Sequence, residues 1–224
     1  MKLAARAWLW LAAFLAVGVA LYGYRYLVPA TYPAPGAVSG GMPNIFANRF
    51  AGVGALAVHA SLAATALLLG AFQLFPGIRA RWPAWHRRAG TVYVAACLGG
   101  GAAGLLLALG TTSGPIGTAG FGLLALAWMG CTTMAWRLAR ARDFVRHRRW
   151  MLRSYALSFA AVTLRIYLPI AFIAHLDVAA AYRAISFLCW VPNLALIELW
   201  LRLAGPVRSL RTSPPPAAAS QSPG

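Results

Sequence analysis

The chain has 224 residues, 61% of them hydrophobic and only 10% charged, with a mean hydropathy of +0.67. That composition lies outside the range of soluble domains and excludes a soluble enzyme or a water-borne binding module. The formal charge is +17, from 20 Lys and Arg against 3 Asp and Glu; because the basic residues sit between apolar runs, they read as topology signal and contact with anionic headgroups, not as a nucleic-acid surface.

Apolar runs cover 8–28, 51–75, 91–110, 118–136, 151–175 and 183–203. Each has about the 20 residues that a helix rising 1.5 Å per residue needs to cross a bilayer. The expected fold is all-α: an integral membrane bundle of six transmembrane helices over residues 1–204, then a disordered tail over 205–224, whose Pro, Ala and Ser cannot build a core. Lys2 and Arg6 before the first run imitate a secretory signal. That run is longer than a signal core, so a retained helix is expected; cleavage would leave five spans.

The outer segment 29–50 is rich in Pro and Gly and carries only Arg49, which reads as an irregular cap. The connection 76–90 holds Arg79, Arg81, Arg87 and Arg88, and 137–150 holds Arg137, Arg140, Arg142, Arg146, Arg148 and Arg149. The connection 111–117 has no charge, and the last has Asp177 and Arg183. By the positive-inside rule both termini and both arginine-rich connections face the cytoplasm. Trp82, Trp85 and Trp150 mark inner helix ends, and Tyr22, Tyr24, Tyr26 and Tyr32 mark the outer end of the first helix, as rings with one wet edge do at an interface. Gly100-x-x-x-Gly104 is a small-residue stripe that favours close helix packing. Cys97, Cys131 and Cys189 lie inside apolar runs without C-x-x-C spacing and read as core residues.

The chemistry rests on four histidines. His59 and His175 fall toward the outer side, while His86 and His147 fall toward the cytoplasmic side, each within a His-Arg-Arg sequence. One outer and one inner pair is the placement that two stacked bis-histidine haems need, since facing helices can each offer an axial imidazole. Haem b is therefore the expected cofactor, if any; the competing reading is of wet interfacial histidines with one intramembrane hydrogen bond. Arg165, Asn193 and Glu198 lie within spans and are costly there. An Arg165–Glu198 ion pair is expected, with Asn193 at a similar depth. Ser154, Ser158 and Arg165 share a helix face, and Gln73 shares one with His59. This polar set reads either as an interior network fixing helix register or as a site for a quinone-like headgroup or a haem propionate, with Arg153 and Arg165 as donors. No Walker loop, zinc-protease motif or nucleophile elbow occurs, and three acids leave hydrolysis little to work with.

The runs LLLGAFQLFPGIRARWPAWHRRAGTVYV (67–94), HRRWMLRSYALSFAAVTLRIYLP (147–169) and CWVPNLALIE (189–198) resemble the domain of unknown function 2306 family of predicted membrane proteins. The resemblance spans about residues 50–200. It implies a bacterial inner-membrane protein without an assigned activity, and its motif histidines correspond to His59, His86 and His147; His175 falls outside the matching runs. In plan the bundle is also similar to cytochrome b561 and related dihaem proteins, an analogy of architecture only. The sharpest expectation is membrane electron transfer, with His59, His86, His147 and His175 as haem ligands, Arg153 and Arg165 on propionates or quinone, and a quinone or other redox carrier as partner. Any enzymatic activity would be that of a membrane oxidoreductase. A second class is a small-molecule or lipid-binding or transport protein with a midplane site at Arg165, Asn193 and Glu198. A third is a structural subunit.

Overall fold

The computed structural model of the chain describes residues 3–28 and 53–203; the expected cap over 29–50 and the tail 205–224 lie outside the described residues. Those described form α1 (Leu3–Tyr24), a 3-10 turn (Arg25–Leu27), α2 (Val53–Gln73), α3 (Pro76–Arg81), α4 (Pro83–Leu109), α5 (Gly114–Arg140), α6 (Phe144–Ser158), α7 (Ala160–Ile173), α8 (Val178–Leu188) and α9 (Val191–Leu203). No strand occurs among them. The pairs α6–α7 and α8–α9 are each one broken span, so six helical stretches are long and apolar enough to cross a membrane.

The helices overrun the apolar runs that announced them. Pro76 and Pro83 open α3 and α4 at positions where their missing N–H costs nothing, so the expected loop 76–90 is helix at every residue but Trp82. Inside the bilayer edge a coil would leave backbone groups unpaired, and winding them into helix satisfies them. His86 and His147 are consequently not loop residues. Each is the fourth residue of its helix, with its N–H bonded to the carbonyl of the residue before the helix: His86 to Trp82 (3.0 Å) and His147 to Asp143 (2.9 Å).

The helices α2, α4, α5 and α6 form a four-membered ring in that order, closed where the Tyr155 hydroxyl of α6 donates to the Leu67 carbonyl of α2 (3.4 Å). Outside it, α1 lies along α2, α8 packs on α5 and α7, and α9 packs on α6. The interior is built from small side chains, with Ala16, Ala20, Ala66 and Ala135 fully buried, while Phe14, Ile173 and Leu203 stand largely exposed. That inversion suits a lipid solvent, in which large apolar groups gain nothing by turning inward and close backbone approach is what holds helices together. The Gly stripe does this work on α4: a Cβ at Gly100 would stand 3.2 Å from Leu62 Cβ of α2.

Two of the three acids are caps. Asp143 accepts from the Arg146 N–H (3.0 Å) at the start of α6, and Asp177 from the Ala180 N–H (2.7 Å) at the start of α8. The Arg146 backbone and side-chain hydrogen bonds hold the Asp143 carboxyl below the usual carboxylate range. A carboxyl whose pKa is lowered by folding stabilises the fold above its unfolded pKa, about 3.9, and loses that contribution as the pH falls through its folded value. Asp143→Asn is therefore expected to lower the melting temperature at neutral pH, with the gap to wild type closing in acid; thermal unfolding between neutral pH and pH of about 3 checks this.

Candidate functional site

The basic end of the bundle gathers three of the predicted polar residues. The His147 Nδ1–H of α6 donates to the Ala135 carbonyl of α5 (2.8 Å), which leaves Nε2 as the lone-pair nitrogen of the neutral ring. His86 lies within electrostatic reach of His147, Arg79 and Arg87. Its Nδ1 is buried without a hydrogen-bond partner, and so is Gln73 Nε2. Gln73 sits against Gly90, where a Cβ would stand 3.5 Å from Nε2, and Gly90 is one turn after His86 on the same face of α4. Buried polar nitrogens are nearly always paired, so these two ask for an explanation.

The register of α4 against α6 sets how the two imidazoles relate. Tyr93 is seven residues after His86, and Ser154 is seven after His147. Seven residues return a side chain to nearly the same face two turns on. Both helices start at the basic end, and the Tyr93 hydroxyl meets Ser154 Oγ across the ring of helices (2.8 Å). His86 and His147 therefore occupy matched positions about 10.5 Å nearer the basic end, on diagonally opposite helices. Neighbouring helices pack about 8–10 Å apart, which puts the diagonal at roughly 11–14 Å.

Above this pair lies a closed hydroxyl cluster. Ser154 Oγ is shared by Tyr93 and Thr132 (2.7 Å), and Ser158 Oγ by Tyr93 (3.2 Å) and the Trp128 indole N–H (2.9 Å). Sequence reasoning found Ser154 and Ser158 but missed Tyr93, Thr132 and Trp128; the four-residue spacing of Trp128 and Thr132, and Tyr93 two turns after His86, were the available signals. Every hydroxyl here has a partner, so the cluster fixes register and leaves no donor over for a ligand.

The remaining expectations need correction. Arg165 does not pair with Glu198. Glu198 is held in bidentate fashion by Arg153, whose Nη2 donates to Oε2 (3.0 Å) while Nε bonds Oε1. Arg165 also leaves the Ser154–Ser158 face, because α6 ends at Ser158 and the chain tightens at Phe159, whose carbonyl accepts from the Val162 N–H (2.9 Å). Asn193 bonds Thr163 Oγ1 and the Cys189 carbonyl, each at 3.0 Å. The expected midplane site of Arg165, Asn193 and Glu198 is thus three separate sets of contacts.

The outer histidine pair is not assembled either. The His59 Nδ1–H donates to the Gly100 carbonyl (2.8 Å), and the ring lies against Gly104, where a Cβ would stand 2.8 Å from Nδ1. His175 is exposed, at φ +53°, on the turn closing α7, with the Leu176 N–H reaching back to the Ala171 carbonyl (3.0 Å). Its position is that of a helix-terminating residue. Cys97, Cys131 and Cys189 are free thiols, and the described residues hold no group of three His, Cys, Asp or Glu side chains suited to a bare metal ion.

Six helical stretches long and apolar enough to cross a membrane, four of which contribute the ring, define a multi-pass helical membrane protein. The chain belongs to the predicted membrane protein family of domain of unknown function 2306, whose model matches residues 56–201. Those residues run from the first turn of α2 through α8 and into the last turn of α9, and so take in nearly all of the four-helix ring together with α3 and α7. No curated protein and no solved structure matches the chain significantly.

Proposed function

We propose that this protein is a b-type cytochrome of the cytoplasmic membrane that holds one haem between His86 and His147 at its cytoplasmic end. The observation that carries the reading is the unpartnered, buried Nδ1 of His86 two turns below the Tyr93–Ser154 contact, with His147 in matched register. A haem asks the protein for only two axial imidazoles, because the porphyrin supplies the other donors. His147 has the arrangement usual in an iron-ligating histidine: one ring nitrogen fixed by a carbonyl, the other left with its lone pair.

Charge discriminates between ligands at this end. A bare divalent cation would sit among Arg79, Arg87 and their neighbours, with the Asp143 carboxylate at the start of α6 already taken up by Arg146, and would be repelled. An anionic macrocycle bearing propionates gains from the same arginines. Arg79 and Arg87 thus take the role first assigned to Arg153, which Glu198 occupies, and to Arg165, which lies toward the other end. When bound, the haem supplies a one-electron couple, and the protein contributes ligation, orientation and charge. With no outer pair assembled, the reading is of a single centre that exchanges electrons at the cytoplasmic side with a quinone or a protein carrier, not of a two-haem wire. The cytoplasmic orientation rests on the positive-inside rule.

The test is a visible spectrum of the detergent-purified full chain, oxidised and then dithionite-reduced, after expression with added haem precursor. A Soret band with sharp reduced α and β bands is expected, lost in His86→Ala and in His147→Ala and retained in His59→Ala and His175→Ala. Added imidazole should restore the bands in the first two, which separates lost ligation from misfolding. A folded, colourless wild type overturns the reading, as does loss in His59→Ala alone.

A further inference from the structure

Arg165 is a half-buried cation inside a span with no acid to answer it. It sits on α7 eight residues before Ile173, roughly 12 Å below that end of the helix. All three acids of the chain are engaged elsewhere: Asp143 and Asp177 as caps, Glu198 with Arg153. Among the described residues, one of its five N–H donors is bonded, Nη1 to the Ala161 carbonyl of its own helix (2.9 Å). Its guanidinium lies 5.7 Å from the centroid of the Tyr22 ring. It is also within electrostatic reach of Tyr26, Tyr182 and His59.

These neighbours come from four elements. Tyr22 is at the end of α1, Tyr26 in the 3-10 turn after it, His59 in the first two turns of α2 and Tyr182 in the second turn of α8. All lie toward the end of the bundle away from the arginine-rich turns, between Arg165 and the interface. They offer a cation, aromatic faces and phenols, but no negative charge. A cation so placed is expensive unless something neutralises it, and an intramembrane ionisable group is a functional site by default. Alongside it, Ile166 and Ile170 of α7 are exposed, 43% and 55%, so an apolar tail has a wall to lie on.

We propose that Arg165, ringed by Tyr22, Tyr26, Tyr182 and His59, binds the anionic head of an amphiphile entering from the outer leaflet. A carboxylate or a phosphate would accept two of the spare guanidinium donors in a fork. The tail would run along α7 beside Ile166 and Ile170. The site shares no residue with the His86–His147 pair, so either proposal stands or falls without the other.

The experiment is equilibrium dialysis of the detergent-purified full chain against three radiolabelled probes: oleate, dioleoyl phosphatidic acid and inorganic phosphate. One amphiphile per chain is expected to bind, with oleate against phosphatidic acid deciding the head group and no uptake of inorganic phosphate. In Arg165→Gln the affinity is expected to fall about tenfold or more, the equivalent of about 1.4 kcal/mol. Arg165→Lys should fall between, because it keeps the charge and loses the fork, and Gly130→Ala, where an added Cβ meets nothing within 4 Å, should bind as wild type does. If Arg165→Gln does not fold, the ordering of wild type, Arg165→Lys and Gly130→Ala decides the matter. Equal uptake by wild type and Arg165→Lys or Arg165→Gln, no uptake by wild type, or uptake of inorganic phosphate alone overturns the proposal. The haem spectrum of each variant, expected to be unchanged, separates failure here from failure of the haem reading.

Discussion

Gly70→Ala is expected to destabilise the bundle by about 3 kcal/mol, although in an open helix the same change would stabilise it by about 1 kcal/mol. The added methyl would run into the Tyr155 ring and stand 2.9 Å from Tyr93 Cε2. Neither ring has room to retreat. Tyr93 is fully buried with its hydroxyl tied to Ser154 and Ser158, and Tyr155 is buried with its hydroxyl on the Leu67 carbonyl. Overpacking at such a site forces rotamers or backbone to shift, and that cost exceeds the gain in helix propensity. Gly130→Ala is the control, since a Cβ there meets nothing within 4 Å. Thermal unfolding in detergent should show Gly130→Ala at or above wild type and Gly70→Ala well below it. If the proposed haem binds between His86 and His147, Gly70→Ala should also weaken its bands, because the Tyr93–Ser154 contact sets the register of α4 against α6.

Breaking the Arg153–Glu198 pair should cost about as much. Glu198→Leu leaves Arg153 in a span without its partner, and Arg153→Leu leaves Glu198 with only the longer-range charges of Arg202 and Arg149; each is expected to lose about 3 kcal/mol. The double variant Arg153→Leu/Glu198→Leu should recover most of that, since replacing both charges by apolar groups removes the desolvation penalty along with the attraction. A double-mutant cycle on thermal or denaturant unfolding reads the coupling. Additive losses would show that the pair does not act as a unit. Arg153 also lies 4.8 Å from the centroid of the Trp150 ring, so Arg153→Leu should be the worse of the two single variants.

The membrane class, the number of spans and the family were legible in the residues themselves. A bilayer imposes a length of apolar chain and forbids unpaired backbone, so the runs from 8–28 to 183–203 had few other solutions. The same holds for the Gly100–Gly104 stripe, whose close packing on α2 follows from the lack of any hydrophobic force between helices in lipid. Hydropathy misjudged where helices end, because it reads apolar length and not backbone pairing. The arginine-rich turns around His86 and His147 looked like loops and are the first turns of α4 and α6.

What pairs with what was not legible. Arg165 and Glu198 looked like partners on depth alone, and depth says nothing of rotation about the helix axis. The tightened turn at Phe159 turns Arg165 away from Ser154 and Ser158, and packing of α9 on α6 delivers Glu198 to Arg153 instead. His59 and His175 were matched by side of the membrane, yet one is tucked against Gly104 and the other terminates α7. The sequence by itself determined the solvent, the spans and the stock of polar groups, because those follow from composition along one dimension. Only the tertiary structure decided that His86 and His147 start α4 and α6 at matched positions and that Arg165 is left among tyrosines, because helix rotation and register are settled by side-chain packing between segments far apart in the chain.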